Sequence, residues 1–338
     1  MPRTFHNVPK NGRFETSLAP WRFGVRYSQY SPGGILTQPD TWRLKAYAKI
    51  NLGLWVEPRD ARGYHPVRSL MQTIQFFDQI EIRRASAYHV DMLKGPGLPS
   101  AHPVSLPVHD NLVTKAYRLV RSLDKAVPTV HIRVRKYIPM GAGLGGGSAD
   151  AASILRWAGQ FMSAPLPAKD AAVLGMDVPF LVQGGTAKAS GYGEEVEHLP
   201  PLRDWYVLLV SPNFGLSTRR VYEAFDALNL AHRPGHTLEE IVEALRQGIL
   251  PDNLFNALEP AAWTVNSALQ SLKETLTSLT SKPWFLTGSG STYFTLLRDR
   301  DEASAIKHRL QKQPLARLSH IEVAEFGEPG TCENPENI

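Results

Sequence analysis

Cysteine is nearly absent: the 338 residues hold one, Cys332. No disulfide within the chain and no cysteine-based metal site can form, which suits a reducing compartment. The eleven histidines show no H-x-x-x-H or similar spacing, so no zinc site is expected. No apolar run reaches the length of a membrane span, and no apolar h-region marks a secretory signal. Dense Lys/Arg blocks and aromatic-interleaved basic stripes are lacking too. The net charge of +5 therefore reads as a solvated basic surface that helps attract an anionic substrate. It does not point to nucleic acid. What remains is an ordinary soluble globular composition, 43% hydrophobic and 20% charged, in a chain long enough for two cores.

Acidic residues are scarce at the front. Residues 1–42 carry Arg3, Lys10, Arg13, Arg22 and Arg26 against Glu15 and Asp40, with scattered Gly, Pro and Ser. Gly and Pro spoil an amphipathic helix, so a disordered extension is expected. A bacterial cytoplasm fits such a chain; a plastid fits if residues 1–42 are a transit peptide.

Order begins near Arg43. In AYAKINLGLWV, Ala46, Ala48, Ile50, Leu52, Leu54 and Val56 alternate with Tyr47, Lys49, Asn51, Gly53 and Trp55, a period of 2 that predicts a half-buried strand. LMQTIQFF and QIEIRR read as two further strands. Gly95 to His109 reads as a loop, and DNLVTKAYRLVRSL as a helix capped by Asp110 or Asn111. TVHIRVRKYI alternates again. After the glycines that follow it, Ile154, Trp157, Ala158 and Phe161 form one helical stripe. GYGEEVEHLPP reads as a turn and DWYVLLVSP as a strand. Beyond it come the helices STRRVYEAFDAL, TLEEIVEALRQG and PAAWTVNSALQSLKETL, the strands WFLTG and STYFTLL, the helix EASAIKHRLQ and the strand IEVAEF. Thr237 with Glu240 makes a capping box. A strand-rich first half and a mixed second half predict two α+β domains.

The stretch PMGAGLGGGSADAASIL (139–155) carries the chemistry. Gly141, Gly143 and Gly146 satisfy G-x-G-x-x-G, but the dinucleotide fingerprint also needs an acid about 20 positions on. Residues 151–169 contain no Asp or Glu. A P-loop needs G-x-x-x-x-G-K-[ST], and the lysine is missing. The physical features survive both failures. Glycines let backbone N–H groups encircle an anion, and the following helix points its positive end at the same place. Phosphate binding outweighs an empty turn.

These residues resemble the phosphate loop of the GHMP kinases. The GLGGGS form resembles one branch, which acts on 4-diphosphocytidyl-2-C-methyl-D-erythritol. AKINLGLWVEPRDARGYH, HDNLVTKA, LGMDVPFLVQGGTAKASGYGE and LTGSGSTYF are similar to further motifs of that branch, in the same order, so the likeness covers about residues 43–325. It implies an α+β fold: a ribosomal-S5-domain-2-like N-terminal domain (43–204, ATP-binding) and a ferredoxin-like C-terminal domain (205–327), with a tail at 328–338. It implies ATP-dependent phosphorylation of the substrate's 2-hydroxyl in the non-mevalonate isoprenoid pathway. ATP is then the co-substrate, Mg²⁺ its companion, and the partners are small molecules, with neither nucleic acid nor membrane. The alternatives are another GHMP kinase of mevalonate, homoserine or sugar type, or a catalytically silent nucleotide- or RNA-binding protein on the same fold.

Residue by residue, the resemblance implies that Asp177 is the catalytic base and Lys49 the catalytic lysine, with Asn51 on the same strand face. Tyr64 stacks on the cytosine, His65 hydrogen-bonds its edge, and Tyr222 supplies the opposite aromatic. Pro139, Met140, Gly141, Ala142, Gly143, Leu144, Gly145, Gly146, Gly147, Ser148 and Ala149 match the ATP loop. Lys136 and Asn111 match positions near the adenosine. Gly288, Ser289 and Gly290 match a third glycine motif that helps close the site. Ser148 is the candidate protein ligand for Mg²⁺. Three departures stand out: Ala149 replaces a serine, which removes a hydroxyl near the phosphates; the segment before Asp177 is short; and the N-terminal extension has no counterpart in most members.

Overall fold

The structure is a computed structural model that describes residues 41–98, 110–164, 166–229, 237–251, 254–315 and 319–327. Nearly all of the extension expected at 1–42, most of the loop at 95–109, and the tail with Cys332 lie outside the described residues.

In chain order the elements are β1 (Thr41–Val56), β2 (Val67–Arg84), β3 (His89–Lys94), α1 (Leu112–Leu123), β4 (Val130–Lys136), α2 (Gly146–Ala158), α3 (Ala168–Ala172), α4 (Val178–Gln183), β5 (Thr186–Ser190) and β6 (Glu195–Leu199). The second half adds β7 (Tyr206–Pro212), α5 (Thr218–Leu228), α6 (Leu238–Arg246), α7 (Glu259–Val265), α8 (Ala268–Thr280), β8 (Phe285–Leu286), β9 (Tyr293–Leu297), α9 (Arg300–Gln311) and β10 (Ser319–Glu325). Among the described residues, the first sheet has six strands, ordered β3-β4-β2-β5-β6 with β1 paired to β2, and the second has four, ordered β10-β7-β9-β8.

The ribbon of β1 and β2 is the spine. Its register runs from Thr41 opposite Arg83 to Val56 opposite Val67, with irregularities at Tyr47/Lys49 and Asn51/Gly53. On its other side β2 pairs β4 through residues 79–84 and β5 through residues 69–72. One long strand thus replaces the two expected there. Asp78, which falls between the two, is buried in the strand and accepts backbone N–H bonds from Tyr137 and Ile138. No Gly or Pro interrupts the run.

β1 also departs from expectation. It is buried on both faces from Ala46 to Val56. The first sheet packs on α1 and α2 through Ile82, Ile132, Ile154 and Trp157. A second cluster, with Ile50, Leu70, Trp205, Leu209 and Phe294, joins the two sheets. Each large apolar side chain buried in this way is worth ~1.5–3 kcal/mol. β3, β5 and β6 carried no usable signal: β3 is partly exposed throughout, and β5 reads TAKAS, too short and small for alternation to show.

The helix expected from PAAWTVNSALQSLKETL is two. Asn266 is extended (φ −151°) and its side chain accepts from Ala268 N at 3.1 Å, which ends α7 and restarts the chain as α8. The capping box at Thr237 and Glu240 is present. Asn111, rather than Asp110, caps α1.

Candidate active site

Lys49 and Asn51 lie two residues apart in the regular stretch of β1 between its two register shifts, and so share one face of the strand. Lys49 is 3% exposed. Its Nζ donates to Asn51 Oδ1 at 2.7 Å and lies 3.5 Å from Asp177 Oδ2. A relay fixes the Asn51 amide: its Nδ2 donates to Ser69 Oγ (2.8 Å), which donates to Gly53 O (2.7 Å). Thr287 Oγ1 accepts from Asn51 N at 3.0 Å and so links the second half of the chain to the spot. Asp177 occupies the N-cap position of α4, yet its side chain makes no capping bond. It faces Lys49 instead, with about a third of its surface open. A buried ammonium beside a part-open carboxylate can hold a hydroxyl and take its proton.

The glycine loop from Pro139 and Met140 to Gly145 wraps this pair. Gly141, Gly143 and Gly145 have φ of +67°, +77° and +72°, conformations that favour glycine. A Cβ on Gly143 would stand 2.1 Å from Thr287 O, so the loop meets the third glycine motif backbone to backbone. The loop carbonyls face inward. Leu144 O accepts from Lys49 N, Ala142 O from Thr292 N and Gly141 O from Leu216 N, at 3.0, 3.1 and 2.9 Å. Gly146, Gly147, Ser148 and Ala149 then form the first turn of α2. Ser148 Oγ lies 3.4 Å from where a Cβ on Gly175 would stand, which sets Ser148 beside the segment leading to Asp177. Ala149 belongs to the apolar core at 2% exposure.

Lys136 is not placed as the resemblance implies. It is buried beneath the loop, and its ammonium is held by Asp78 and Asp150. Two carboxylates share one cation there. Burial pushes Asp150 up to about 8, and Asp78 adds to the rise while Lys136 works against it. Burial opposes the Lys136 charge, but the carboxylates outweigh it and hold the group above its ordinary value. The folded Asp150 thus keeps a proton that the unfolded chain releases at about pH 4. Folded stability is expected to fall as pH rises from about 4 to about 8, because the unfolded state binds fewer protons across that window. Thermal melts across it should show a slope that Asp150→Asn flattens; an unchanged slope would place the titration elsewhere.

Asn111 borders the loop. Its Oδ1 accepts from Val113 N at 2.9 Å, and neighbouring Leu112 lies 3.5 Å from where a Cβ on Gly147 would stand.

The turn between β1 and β2 brings the aromatics. Asp60 Oδ1 accepts from Arg62 N (2.9 Å) and Tyr64 N (3.2 Å), an Asx-type knot, and Asp60 also receives the Tyr192 hydroxyl. These bonds hold its carboxyl well below the usual range, the Tyr192 bond foremost. Tyr64 stands 57% exposed, edge-on to Tyr192 at 5.9 Å. His65 differs from expectation. Its Nδ1 meets Glu57 O and its Nε2 meets Asp226 Oδ1, both at 2.8 Å, so both ring nitrogens have protein partners. Tyr222 lies 5.8 Å from the His65 ring at 31°. Burial pushes Tyr222 up to about 12, and the charge of Asp177 adds to it.

Lys49, Asn51, Asp177 and the loop are thus brought together, with Tyr64, His65 and Tyr222 alongside. Thr287 and Asp226 went unread. The second had a signal: it lies one helical turn beyond Tyr222, on the same face. A histidine cluster also went unread. On β3 and β4, His89 and His131 both reach Asp91, at 3.0 and 2.8 Å, and His131 holds the Asp91 carboxyl below its usual range. Sequence spacing cannot show it, because His131 arrives opposite His89 from the neighbouring parallel strand. Arg133 shares that carboxylate at 3.6 Å, which completes the cluster as an ion-pair group.

Among the described residues, no helix is long and apolar enough to cross a membrane. Comparison with known proteins places the chain. Residues 111–188 match the GHMP kinases N terminal domain, and residues 223–315 match the GHMP kinases C terminal model. The chain is 36% identical over 281 residues to the 4-diphosphocytidyl-2-C-methyl-D-erythritol kinase of Pelotomaculum thermopropionicum, covering 79% of this chain and 93% of that one. It is 35% identical over 288 residues to the enzyme of the same name from Moorella thermoacetica, covering 81% and 96%. A crystal structure of a 4-(cytidine 5'-diphospho)-2C-methyl-D-erythritol kinase superposes with a TM-score of 0.69 at 29% identity, over 84% of this chain and 99% of that one. A mevalonate kinase of L. major shares the fold at 16% identity, with a TM-score of 0.59 over 86% and 96%. With both halves matched by its models and relatives aligned over nearly their whole length, the chain belongs to the GHMP kinases, in the 4-diphosphocytidyl-2-C-methyl-D-erythritol kinase family.

Proposed function

We propose that the chain transfers the γ-phosphoryl group of ATP to the 2-hydroxyl of 4-diphosphocytidyl-2-C-methyl-D-erythritol. The observation that carries this reading is the buried Lys49 ammonium, set between Asn51 and Asp177 and wrapped by the glycine loop. Asp177 takes the hydroxyl proton, and Lys49 offsets the charge that develops on the attacking oxygen. Because the loop carbonyls are turned into the protein, its N–H groups and the start of α2 are left to cradle the triphosphate. Residues 43–204 form the ATP-binding domain in this reading and 205–327 the second domain.

Mg²⁺ fits the donors present. It prefers oxygen and keeps several waters, and the Ser148 hydroxyl at the start of α2 would join the substrate phosphates around it. When bound it would offset the negative charge of the triphosphate. Asn111 edges the adenosine side. Lys136 supports the loop from beneath.

Tyr64 and Tyr222 provide the base-binding rings, which separates a cytidine-alcohol kinase from its relatives. CDP should compete with the substrate, whereas mevalonate, homoserine or sugars should not. Tyr64→Ala should raise the KM for the cytidine substrate by about 5- to 150-fold, since stacking on an aromatic is worth ~1–3 kcal/mol per base. An unchanged KM would put the base elsewhere.

A further inference from the structure

The turn that carries Tyr64 and the helix that carries Tyr222 come from opposite halves of the chain, and one carboxylate joins them. Asp226, on α5, receives His65 Nε2 at 2.8 Å across a separation of 161 residues. The same carboxylate receives the Arg59 guanidinium through both of its oxygens, with Nε at 3.0 Å from Oδ1. Two side chains of the turn thus converge on one acid. The His65 ring is fixed on its remaining sides as well. Its Nδ1 meets Glu57 O, Tyr222 faces it, and Phe225 meets it edge-on at 5.5 Å and 90°. Held at every edge, His65 works as a wedge, with Tyr64 next to it and open.

A planar base held between two rings needs them at a set separation. A helix and a turn that could drift apart would lose contact with it, and holding them in place beforehand removes that cost from binding. Charge-assisted, two-pronged Arg–carboxylate bonds are the means best suited to this, because they fix geometry as well as distance. Tyr222 and Asp226 lie one turn apart on α5, so holding the acid holds the tyrosine.

We propose that Asp226 is a positioning residue for the pyrimidine site: through Arg59 and His65 it sets the spacing between the Tyr64 turn and the Tyr222 helix, and so the affinity for a cytidine diphosphate group. This rests on the reading that the base lies beside Tyr64 and Tyr222. Asp226 itself touches no reacting atom.

The test separates substrate affinity from everything else. In Asp226→Asn, the KM for the cytidine substrate and the Kd for CDP, measured by calorimetry, should both rise by about 10-fold or more, while kcat and the KM for ATP stay within about 2-fold. Arg59→Gln should act in the same direction but less, and the double variant should be no worse than Asp226→Asn alone, because both act through one contact. CDP binding by Asp226→Asn at the wild-type Kd would overturn the clamp and leave the base site standing. Equal losses in kcat and in the KM for ATP would overturn it too, as general damage. A wild-type chain that does not bind CDP would remove the base site and the clamp together.

Discussion

Asp177→Asn is expected to lower kcat by about 10²–10⁴-fold, the range lost when a positioned general base is removed. The substitution keeps the shape and removes the charge. Asp177 makes no capping bond to α4, so the asparagine leaves the helix start intact. What changes is its partnership with Lys49, 3.5 Å away. The amide can no longer accept the hydroxyl proton, and the buried ammonium loses its counter-charge. Lys49 keeps its bond to Asn51 Oδ1 and the lost partner is the part-open one at 3.5 Å, so the melting temperature should fall less than when a fully buried pair is broken, and the KM for ATP should stay close to wild type. Substantial turnover in the variant would remove Asp177 from the role of base and leave Lys49 to act through electrostatics alone.

Lys136→Met has the second large effect, and it falls on stability. The ammonium is buried with Asp78 and Asp150, and removing it leaves the Asp78 carboxylate in the core without its cation, beside an Asp150 carboxyl that burial already keeps protonated. Breaking a buried ion pair from one side costs about 3–5 kcal/mol, because the remaining charge must be neutralised or stay unpaired. Thermal unfolding should show a drop in Tm of roughly 5–15 °C. The result also separates two placements of this lysine. A residue beside the adenosine would, when replaced, raise the KM for ATP and leave Tm intact. A residue beneath the loop lowers Tm first. A variant with normal Tm and a raised KM for ATP would return Lys136 to the nucleotide.

The parts of the site that sequence could give were those written in short local patterns. Glycines in a dense run announce positive-φ backbone wherever they sit, and Lys49 with Asn51 announce a shared face through the period of a strand. Even there, two register shifts in β1 and burial on both faces went unseen, because register depends on the partner strand. What could not be read was pairing over long separations. The tie between Asp226 and His65, the meeting of Gly143 with Thr287, and the burial of Lys136 each join residues from distant parts of the chain. The same limit explains the fold errors. Asp78 sits within a continuous strand because N–H donors reach its carboxylate from Tyr137 and Ile138, some 60 residues on. The split of α7 from α8 turns on one asparagine side chain that competes with the helix for a backbone N–H.

The most direct measurement is ADP release, coupled to an optical readout, with ATP, Mg²⁺ and 4-diphosphocytidyl-2-C-methyl-D-erythritol, run beside mevalonate, homoserine and galactose. Saturable release with the cytidine substrate, inhibited competitively by CDP, and none above background with the others, is the expected result. Turnover of one of the other alcohols that CDP does not affect, or ATP binding with no turnover of any of them, would contradict it.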